Sequence, residues 1–450
     1  MLIRFHVSNF LSFDEEVELS MIPGKTRKHP GHVTKSEGRH DIDILRSAII
    51  YGANASGKSN IVKAMAFAQE LIVEGTHVKE SIPRTRFKLK EETVNTPSKF
   101  EFEFKAGERC YIYGFELNRQ RIYEEWLYEI RKTTETMLFE RATGSSGETS
   151  IEFGKIDFKN EKEKDLFDLV AMGTRPNQLF LTESLERNIM HFDDVYKWFR
   201  EKLIIIFPAS KFIPLATIGT DQDLANMLIN YLEQLGTGIC GFELSEVDPE
   251  KEFPEDVINI LLKSLQERDK NDDDSKMVFF GDPQDERYLA EIVDEELKAK
   301  KLTLRHQMSD SEQEILLGMA EESDGTRRLL DLLPGLANPN NEDKVYVVDE
   351  LDRSLHPVLS HRLVKLFLEN EVPESQLIAT THASHLLDQD LLRRDEVWFV
   401  EKDKKGASHV YSLEEYAPRN DKDIEKGYMA GRYGAIPILG NMSFATQEEE

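Results

Sequence analysis

A run of residues shortly after position 50 has the spacing of a phosphate-binding loop. Gly52-Ala53-Asn54-Ala55-Ser56-Gly57-Lys58-Ser59 satisfies the pattern GxxxxGK[ST] at every fixed position. In such a loop the glycines let backbone N–H groups surround phosphate oxygens, the lysine reaches the β- and γ-phosphates, and the serine hydroxyl binds Mg²⁺. The spacing predicts that these residues, together with Asn60, bind ATP and that Ser59 is a metal ligand. The alternative is a glycine turn that happens to precede a helix.

The segments on either side of this loop favour the phosphate-binding interpretation. Residues 41–50 end in the apolar run Ala48-Ile49-Ile50, which is typical of a buried strand, and residues 61–73 space their apolar side chains as a helix does. A phosphate-binding loop requires strand, loop and helix in this order, because the positive end of the helix then points at the anion. The loop therefore has the flanking elements that its chemistry needs.

Two adjacent carboxylates end a second apolar run, near the C-terminal end of the chain. Val345-Tyr346-Val347-Val348 has the composition of a strand, and Asp349-Glu350 follow it directly. This places both carboxylates at the carboxyl edge of a sheet, where α/β proteins bind ligands. Asp349 is expected to hold Mg²⁺ through water, and Glu350 to polarise the attacking water. Alone this signal is weak, since solvated strands also end in acidic residues, but together with the loop it becomes specific.

Further motifs follow the acidic pair. They are Leu351-Asp352-Arg353-Ser354-Leu355-His356-Pro357 and, one strand later, Thr380-Thr381-His382. In this arrangement the chain resembles the ABC-ATPase class that includes SMC proteins, RecF and the OLD-family ATPases. The resemblance implies a homodimer or higher homo-oligomer in which Asp352 crosses the interface and His382 contacts the γ-phosphate. An ordinary strand-end histidine is the alternative for His382.

The resemblance also implies a signature loop upstream of the acidic strand. Glu322-Ser323-Asp324-Gly325-Thr326-Arg327-Arg328 lies at the expected place, although it departs from LSGG[QE] at the Leu, the first Gly and the terminal position. Ser323 and Gly325 remain, and they are expected to meet the γ-phosphate bound by the other subunit. A helix N-cap without any role across the interface is the alternative.

A glutamine that contacts the metal is harder to place. The candidate is Gln178, within Arg175-Pro176-Asn177-Gln178-Leu179-Phe180-Leu181. An ordinary residue at the start of a helix is an equally good interpretation.

The overall pattern, including Ala430-Gly431-Arg432-Tyr433-Gly434-Ala435-Ile436-Pro437, resembles a bacterial subgroup of this class. These are ATPases of abortive-infection and phage-defence operons of the RloA or AbiL type, to which the ATPases of the PARIS and Septu systems are related. The resemblance implies that ATP gates a separately encoded effector, often a Toprim-like or HNH nuclease. One alternative is a RecF- or SMC-like ATPase that acts on DNA directly, and another is a scaffold that binds ATP but hardly hydrolyses it.

Composition limits the classes of protein that remain. The chain has 450 residues and a formal net charge of -27, which disfavours non-specific attraction to nucleic-acid phosphates. Direct contact with nucleic acid would need a local basic patch, such as residues 25–29 or 84–88. The two cysteines, Cys110 and Cys240, support neither a disulfide framework nor a zinc site. Because neither a leader pattern nor a membrane-length apolar run is present, a cytoplasmic protein is expected.

Hydrophobic periodicity predicts an α/β fold, a P-loop NTPase of ABC type with an antiparallel β-subdomain and a helical insertion. Residues 1–160 are expected to form the first half of the ATPase domain with the β-subdomain, and residues 318–450 the second half. Between them, residues 161–317 are predicted to be a largely helical insertion. The nucleotide-binding core is thus predicted to be split along the chain.

Overall fold

The computed structural model describes most of the chain. The described residues are 1–35, 42–131, 134–144, 146–156, 158, 160–210, 222–266, 277–282, 284–294, 296–308, 313–336, 343–369, 374–416 and 423–437.

Strands and helices alternate irregularly along these residues. The strands are β1 (Leu2–Ser8), β2 (Val17–Ser20), β3 (Val33–Thr34), β4 (Ile44–Leu45), β5 (Ser47–Tyr51), β6 (Ser98–Ala106), β7 (Arg109–Leu117), β8 (Ile122–Arg131), β9 (Thr134–Thr143), β10 (Thr149–Phe153), β11 (Leu203–Ile206), β12 (Ile239–Val247), β13 (Met277–Gly281), β14 (Arg287–Val293), β15 (Glu296–Gln307), β16 (Glu314–Gly318), β17 (Val345–Val348), β18 (Gln376–Thr380), β19 (Val397–Lys402) and β20 (Ser408–Ser412). The α-helices are α1 (Lys58–Glu74), α2 (Glu161–Gly173), α3 (Phe180–Glu186), α4 (Asp193–Lys197), α5 (Gln222–Gln234), α6 (Pro249–Glu252), α7 (Glu255–Gln266), α8 (Asp324–Leu336), α9 (Pro357–Glu369) and α10 (Ile424–Met429). A π-helical segment, Trp198–Lys202, follows α4 directly.

The elements form two compact units. The first contains Met1–Ile205, Glu342–Leu351 and Glu371–Glu450, and the second contains Ile206–Asn341 and Asp352–Asn370. The phosphate-binding loop and the acidic pair, which are about 300 residues apart in sequence, therefore belong to the same unit. Residues 161–205, which periodicity grouped with the insertion, also belong to the first unit.

The first unit contains a six-stranded sheet in the order β11-β17-β18-β5-β19-β20. Strands β17, β18, β5 and β19 run parallel, and β20 pairs antiparallel with β19. All residues of β5, β17 and β18 are buried, which explains why these strands are continuous apolar runs rather than alternating ones. The strand predicted at 345–348 is confirmed as β17.

The same unit contains the predicted antiparallel subdomain. It is a seven-stranded sheet in the order β10-β9-β8-β7-β6-β1-β2. Phe102 and Phe104 on β6 are fully buried, and their rings pack against the π-helical segment, with 4.3 Å between the ring centroids of Phe104 and Trp198 and 5.1 Å between those of Phe102 and Phe199. Burial of each such ring contributes about 1.5–3 kcal/mol. The N-terminal strand β1 pairs with β6 and so lies beside this aromatic core.

The second unit corrects the prediction of a helical insertion. Helices do occur within the range 161–317, but the described residues between 239 and 318 also form a five-stranded sheet in which β12, β15, β14 and β13 are neighbours and β16 pairs with β15. Its apolar residues pack against Phe253, which follows α6, and against α7. The strands were missed because β12 and β15 place charged residues between their apolar ones. In β15, for example, Leu302 and Leu304 are buried whereas Lys301 and Thr303 are half-buried.

Candidate functional site

The phosphate-binding loop joins β5 to α1 and turns tightly. Its backbone is left-handed at Ala55 (φ 61°) and at Gly57 (φ 114°). A Cβ atom on Gly52 would lie 2.4 Å from the carbonyl oxygen of Val400 and 2.6 Å from Ser56 Oγ. Glycine is therefore required at position 52 by lack of space and at position 57 by its backbone angle as well. The loop leads directly into the first turn of α1, whose N–H groups form the positive end of the helix.

Two polar side chains of the loop are buried in ways that suit an anion. Lys58 Nζ donates to the carbonyl oxygens of Gly52 (2.8 Å) and Ala53 (3.1 Å). Ser56 Oγ is buried and has no hydrogen-bond partner among the described residues. A buried hydroxyl without a partner costs about 1–3 kcal/mol, and a phosphate oxygen in the loop would supply the missing partner. The residues present therefore fit a nucleotide phosphate chain.

The acidic pair is held in place by a threonine on the neighbouring strand. Thr380 is the last residue of β18 and is fully buried. Its hydroxyl donates to Asp349 Oδ1 (2.6 Å) and accepts from the backbone N–H of Glu350 (2.8 Å). Glu350 has a left-handed backbone (φ 49°) and a half-buried side chain. Thr380 thus orients the carboxylate of one acidic residue and the backbone of the other.

Strand register brings the separate motifs to one edge of the six-stranded sheet. Ile50 on β5 is opposite Thr380 on β18, and Val348 on β17 is opposite Ala379. All three strands run in the same direction, so the residues that follow them, including Gly52 and Asp349, emerge together at the carboxyl edge. One strand separates β5 from β17, which corresponds to about 10 Å at the usual spacing between strands. This is room for phosphate oxygens and a metal ion between the loop and the acidic pair.

The donor set is suited to a metal that shares its ligands with phosphate. Ser59 is in the first turn of α1, and Asp349 is buried at the sheet edge. Within the described ranges, no group of three or more His, Cys, Asp or Glu side chains could hold a metal alone. Mg²⁺ bound to a nucleotide needs only one or two protein ligands because phosphates and waters complete its octahedron. Ser59 and Asp349 therefore fit the predicted magnesium site.

His382 and Asp352 follow the two strands that border the site. His382 comes two residues after the end of β18 and is exposed to solvent at the same edge as the acidic pair. Asp352 is half-buried in the turn before α9, where its carbonyl oxygen accepts from the N–H of Leu355 (3.1 Å). By contact, Asp352 belongs to the second unit and His382 to the first.

The signature residues lie in the second unit at the start of α8. Ser323 Oγ accepts from the N–H of Thr326 (3.1 Å) and so caps the helix. A Cβ atom on Gly325 would lie 2.8 Å from the carbonyl oxygen of Ser354, so the signature loop touches the loop that contains Asp352. Together they line a surface cavity of about 590 Å³. The N-cap role of Ser323 is present, and its role across a dimer stays a prediction.

The prediction of Gln178 as a metal-contacting residue is wrong. Gln178 is buried, and its Oε1 accepts from the backbone N–H and the hydroxyl of Thr76 (2.8 and 2.9 Å). Thr76 follows the C-terminal end of α1, whereas the phosphate-binding loop precedes its N-terminal end. A 17-residue helix is about 25 Å long, so Gln178 is too far away to touch a metal bound by Ser59. Its physical role is to close the end of α1.

Three residues that sequence reasoning missed belong to the site or its support. Thr380 was noticed only as the neighbour of Thr381-His382, and its contact with Asp349 follows from strand register. Ser408 donates to the phosphate-binding loop, and Ser12, from the other end of the chain, contacts Ser408 and Asn60. No local pattern marks a lone serine as a partner of another one almost 400 residues away.

Comparison with known proteins places the chain in a family. A family model described as "AAA domain, putative AbiEii toxin, Type IV TA system" matches residues 47–235 and 229–388. A stretch of 65 residues is 42% identical to "Retron Vc95 probable ATPase" of Vibrio cholerae serotype O1 biovar El Tor, which corresponds to 14% of this chain and 12% of that relative's length.

Solved SMC head domains are similar over most of the chain. The head domain from Thermotoga maritima is 15% identical, with 91% of this chain and 98% of that chain covered and a TM-score of 0.36. The head domain from Pyrococcus furiosus, solved with an extended coiled coil and bound to the C-terminal domain of ScpA, is 12% identical, with 92% and 97% covered and a TM-score of 0.36.

A separate observation concerns membranes. In the part of the chain that the structure describes, no helix combines the length and the apolar content needed to span a bilayer.

The family model extends from residue 47 to residue 388 and so includes the phosphate-binding loop, the acidic pair and His382. The chain therefore belongs to this AAA-domain family, whose description is that of a putative AbiEii toxin of a type IV toxin–antitoxin system.

Proposed function

We propose that the protein binds ATP with Mg²⁺ and hydrolyses it between two copies of the chain, as the regulatory subunit of a bacterial anti-phage system. The observation that carries the enzymatic part is the convergence on one sheet edge of the loop with Lys58 and the Thr380-supported Asp349–Glu350 pair. These groups supply phosphate binding, a metal ligand and a base for water, which are the parts that phosphoryl transfer needs.

In this proposal, each site residue of the first unit has a defined task. The loop N–H groups and Lys58 hold the phosphates, so Lys58 must exchange its bonds to Gly52 and Ala53 for phosphate oxygens. When bound, Mg²⁺ neutralises charge on the phosphates, and Ser59 and Asp349 are the residues that would hold it. Glu350 orients the attacking water, and His382 contacts the γ-phosphate from the neighbouring strand end.

The second unit supplies the groups for a partner subunit. Ser323 and Gly325 at the start of α8 present a helix N-terminus, which favours an anion such as the γ-phosphate of the other copy. Asp352 would cross between the subunits beside them. We expect ATP to bridge two copies and hydrolysis to release them, so that the dimer reports the state of the nucleotide.

The regulatory role is supported by the family and by the retron relative. The family description names an AbiEii toxin and a toxin–antitoxin system, and the relative is an ATPase of a retron. A nucleotide-dependent dimer in such a system controls a separate effector, for which a Toprim-like or HNH nuclease is the expected class. The net charge of -27 favours a protein partner over direct nucleic-acid binding.

Steady-state ATP hydrolysis by the purified protein tests the proposal. Wild type is compared with Lys58→Ala and Glu350→Gln, each with and without added DNA. We expect turnover in the wild type, a loss of at least about 100-fold in both variants, and no response to DNA. Strong stimulation by DNA would favour the RecF- or SMC-like alternative, and absence of turnover under all conditions would favour a scaffold.

A further inference from the structure

Two serines that are remote in sequence meet beside the phosphate-binding loop. Ser12 follows β1, Ser408 begins β20, and both are buried. Ser408 Oγ donates to the carbonyl oxygen of Ser56 (2.6 Å) and lies 2.8 Å from Ser12 Oγ. Asn60 Nδ2, in the first turn of α1, donates to Ser12 Oγ (2.7 Å). A chain of hydrogen bonds thus leads from α1 through two hydroxyls back to the loop.

Ser408 is the donor in both of its hydroxyl contacts. A carbonyl oxygen can only accept, and a serine hydroxyl has one hydrogen to donate. The hydroxyl of Ser408 therefore shares its hydrogen between two acceptors, the carbonyl oxygen of Ser56 and Ser12 Oγ, and Ser12 Oγ also accepts from Asn60. The backbone N–H of Ser408 also donates to the carbonyl oxygen of Ser12 (2.8 Å), which holds the two serines together. We call this arrangement of Ser12 and Ser408 the serine clamp.

The serine clamp acts on the peptide unit that leads into α1. The Ser56–Gly57 peptide is planar and trans, so its C=O and N–H groups point in opposite directions. Because Ser408 holds the carbonyl of Ser56, the N–H of Gly57 is turned away from the clamp. Space is also restricted on the clamp side, since a Cβ atom on Gly57 would lie 2.3 Å from Ser408 Oγ and 2.8 Å from Ser12 Oγ. The clamp therefore determines where one phosphate-facing N–H group points.

We propose that Ser12 and Ser408 are positioning residues for nucleotide binding, which preorganise the phosphate-binding loop without touching the nucleotide. This inference rests on the proposed binding of ATP. Preorganisation lowers the cost of forming the complex, so its loss weakens binding of the phosphate chain. The groups that perform the chemistry, Asp349 and Glu350, are held separately by Thr380, so turnover of the bound nucleotide should be preserved.

Binding and turnover of the full chain test the serine clamp. The Kd for ATP with Mg²⁺ is measured by titration calorimetry, and kcat and KM by steady-state hydrolysis, for wild type, Ser12→Ala, Ser408→Ala and the double variant. The matched control is Ser412→Ala, because Ser412 is on the same strand but its hydroxyl accepts from Glu414 N–H (3.2 Å) instead of contacting the loop.

We expect each clamp variant to raise Kd and KM about tenfold, the equivalent of one buried hydrogen bond, with kcat at saturating ATP changed less than about twofold. The double variant should resemble the single ones, since either substitution breaks the same chain. Ser412→Ala should match wild type.

Either of two outcomes overturns the inference: an unchanged Kd in Ser408→Ala and Ser12→Ala, or a fall in kcat without a change in KM. If Ser408→Ala does not fold, Ser12→Ala decides alone. Wild-type protein that binds no ATP would instead refute the proposed function, so the two failures are distinguishable.

Discussion

At the residue scale, single hydroxyl groups hold the residues of the candidate site in position. Thr380 bridges the Asp349 carboxylate and the Glu350 N–H, and Ser408 holds the carbonyl of Ser56. The contacts of Thr380 with Asp349 and of Ser408 with Ser56 are buried, where a lost hydrogen bond is not replaced by water. The acidic pair and the phosphate-binding loop are therefore each positioned by a side chain that itself has no charge. The two hydroxyls should control different steps, turnover for Thr380 and binding for Ser408.

Thr380→Val removes the hydroxyl while keeping the shape of the side chain. We expect the free energy of unfolding to fall by about 1–3 kcal/mol and kcat to fall about 10- to 100-fold with little change in KM, because Asp349 and Glu350 lose their common partner. Thr380→Ser should restore most of the activity. The control is Thr182→Val, since Thr182 is an equally buried threonine whose hydroxyl donates to Ile72 O (2.8 Å). It should lose stability but retain kcat, and equal kcat losses in both variants would contradict the role of Thr380.

Gly57→Ala combines a left-handed backbone with a lack of space. Strain at φ 114° and overlap with the two clamp hydroxyls should abolish ATP binding and lower the melting temperature. The control is Gly107→Ala, because Gly107 also has a positive φ (58°) but a Cβ atom there meets nothing within 4 Å. It should cost about 1–2 kcal/mol of stability and leave ATP binding intact. If both variants bind ATP equally, the packing around Gly57 does not contribute to ATP binding.

At the scale of elements, one buried carboxylate ties the antiparallel sheet to the first turn of α3. Glu125 on β8 accepts from the backbone N–H groups of Phe180 (2.7 Å) and Leu181 (3.0 Å) and from the Tyr113 hydroxyl (2.9 Å). Arg141 on β9 pairs with it at 3.2 Å. Burial, followed by the neighbouring Glu125 charge, raises the pKa of Tyr113 well above its usual value. Four chain segments therefore depend on one side chain.

Glu125→Ala should be strongly destabilising because it leaves Arg141 buried without its counter-charge. We expect a loss of about 3–5 kcal/mol in the free energy of unfolding measured with denaturant. The control is Glu129→Ala on the same strand, where a partly exposed carboxylate pairs with Arg109 at 3.7 Å. That change should cost less than about 1 kcal/mol. A similarly small loss for Glu125→Ala would show that the hydrogen bonds and the ion pair of Glu125 contribute little to the free energy of unfolding.

The C-terminal end of α1 is held by hydrogen bonds between Thr76 and the side chain of Gln178. Gln178→Ala removes the acceptor for Thr76 and should lower the free energy of unfolding by about 1–2 kcal/mol. The Mg²⁺ concentration needed for half-maximal ATP hydrolysis should not change, whereas Ser59→Ala should raise it. A higher Mg²⁺ requirement in Gln178→Ala would contradict the assignment made from the geometry and restore the metal-contacting role.

At the scale of the whole molecule, the edge proposed to bind the nucleotide is made from both ends of the chain. Segments near residues 12, 50, 349, 380 and 408 belong to one unit, while Ser323, Gly325 and Asp352 belong to the other. The groups proposed to face a partner subunit are thus on a different compact unit from the groups proposed to bind the phosphates. A dimer bridged by ATP would join unlike units of two copies.

Glu350→Gln should accumulate an ATP-bridged dimer because nucleotide binds but water is not activated. Light scattering after size-exclusion chromatography should give about twice the monomer mass with ATP and Mg²⁺, and the monomer mass without them. Adding Ser323→Arg to this variant should prevent dimer formation, since a bulky side chain would occupy the start of α8. Lys58→Ala is the control that fails to bind ATP. A dimer that persists without nucleotide, or with Ser323→Arg, would argue against this interface.

The sequence by itself was sufficient to predict the motifs that consist of consecutive residues. The pattern at 52–59, the acidic pair after an apolar strand and the parallel strands around them were all predictable, because each depends on local spacing and on complete burial. The strands between 239 and 318 were not, since one face of that sheet is partly polar and its alternation was obscured by charged residues.

Only the tertiary structure decided which polar groups meet. Ser12 and Ser408 are 396 residues apart, Asp349 and Thr380 are 31 apart, and neither pairing follows from spacing along the chain. Strand register places Thr380 beside the acidic pair, and the length of α1 separates Gln178 from the phosphate-binding loop. Hydrogen bonds depend on positions within a few tenths of an ångström, and such positions are set by packing of the complete fold.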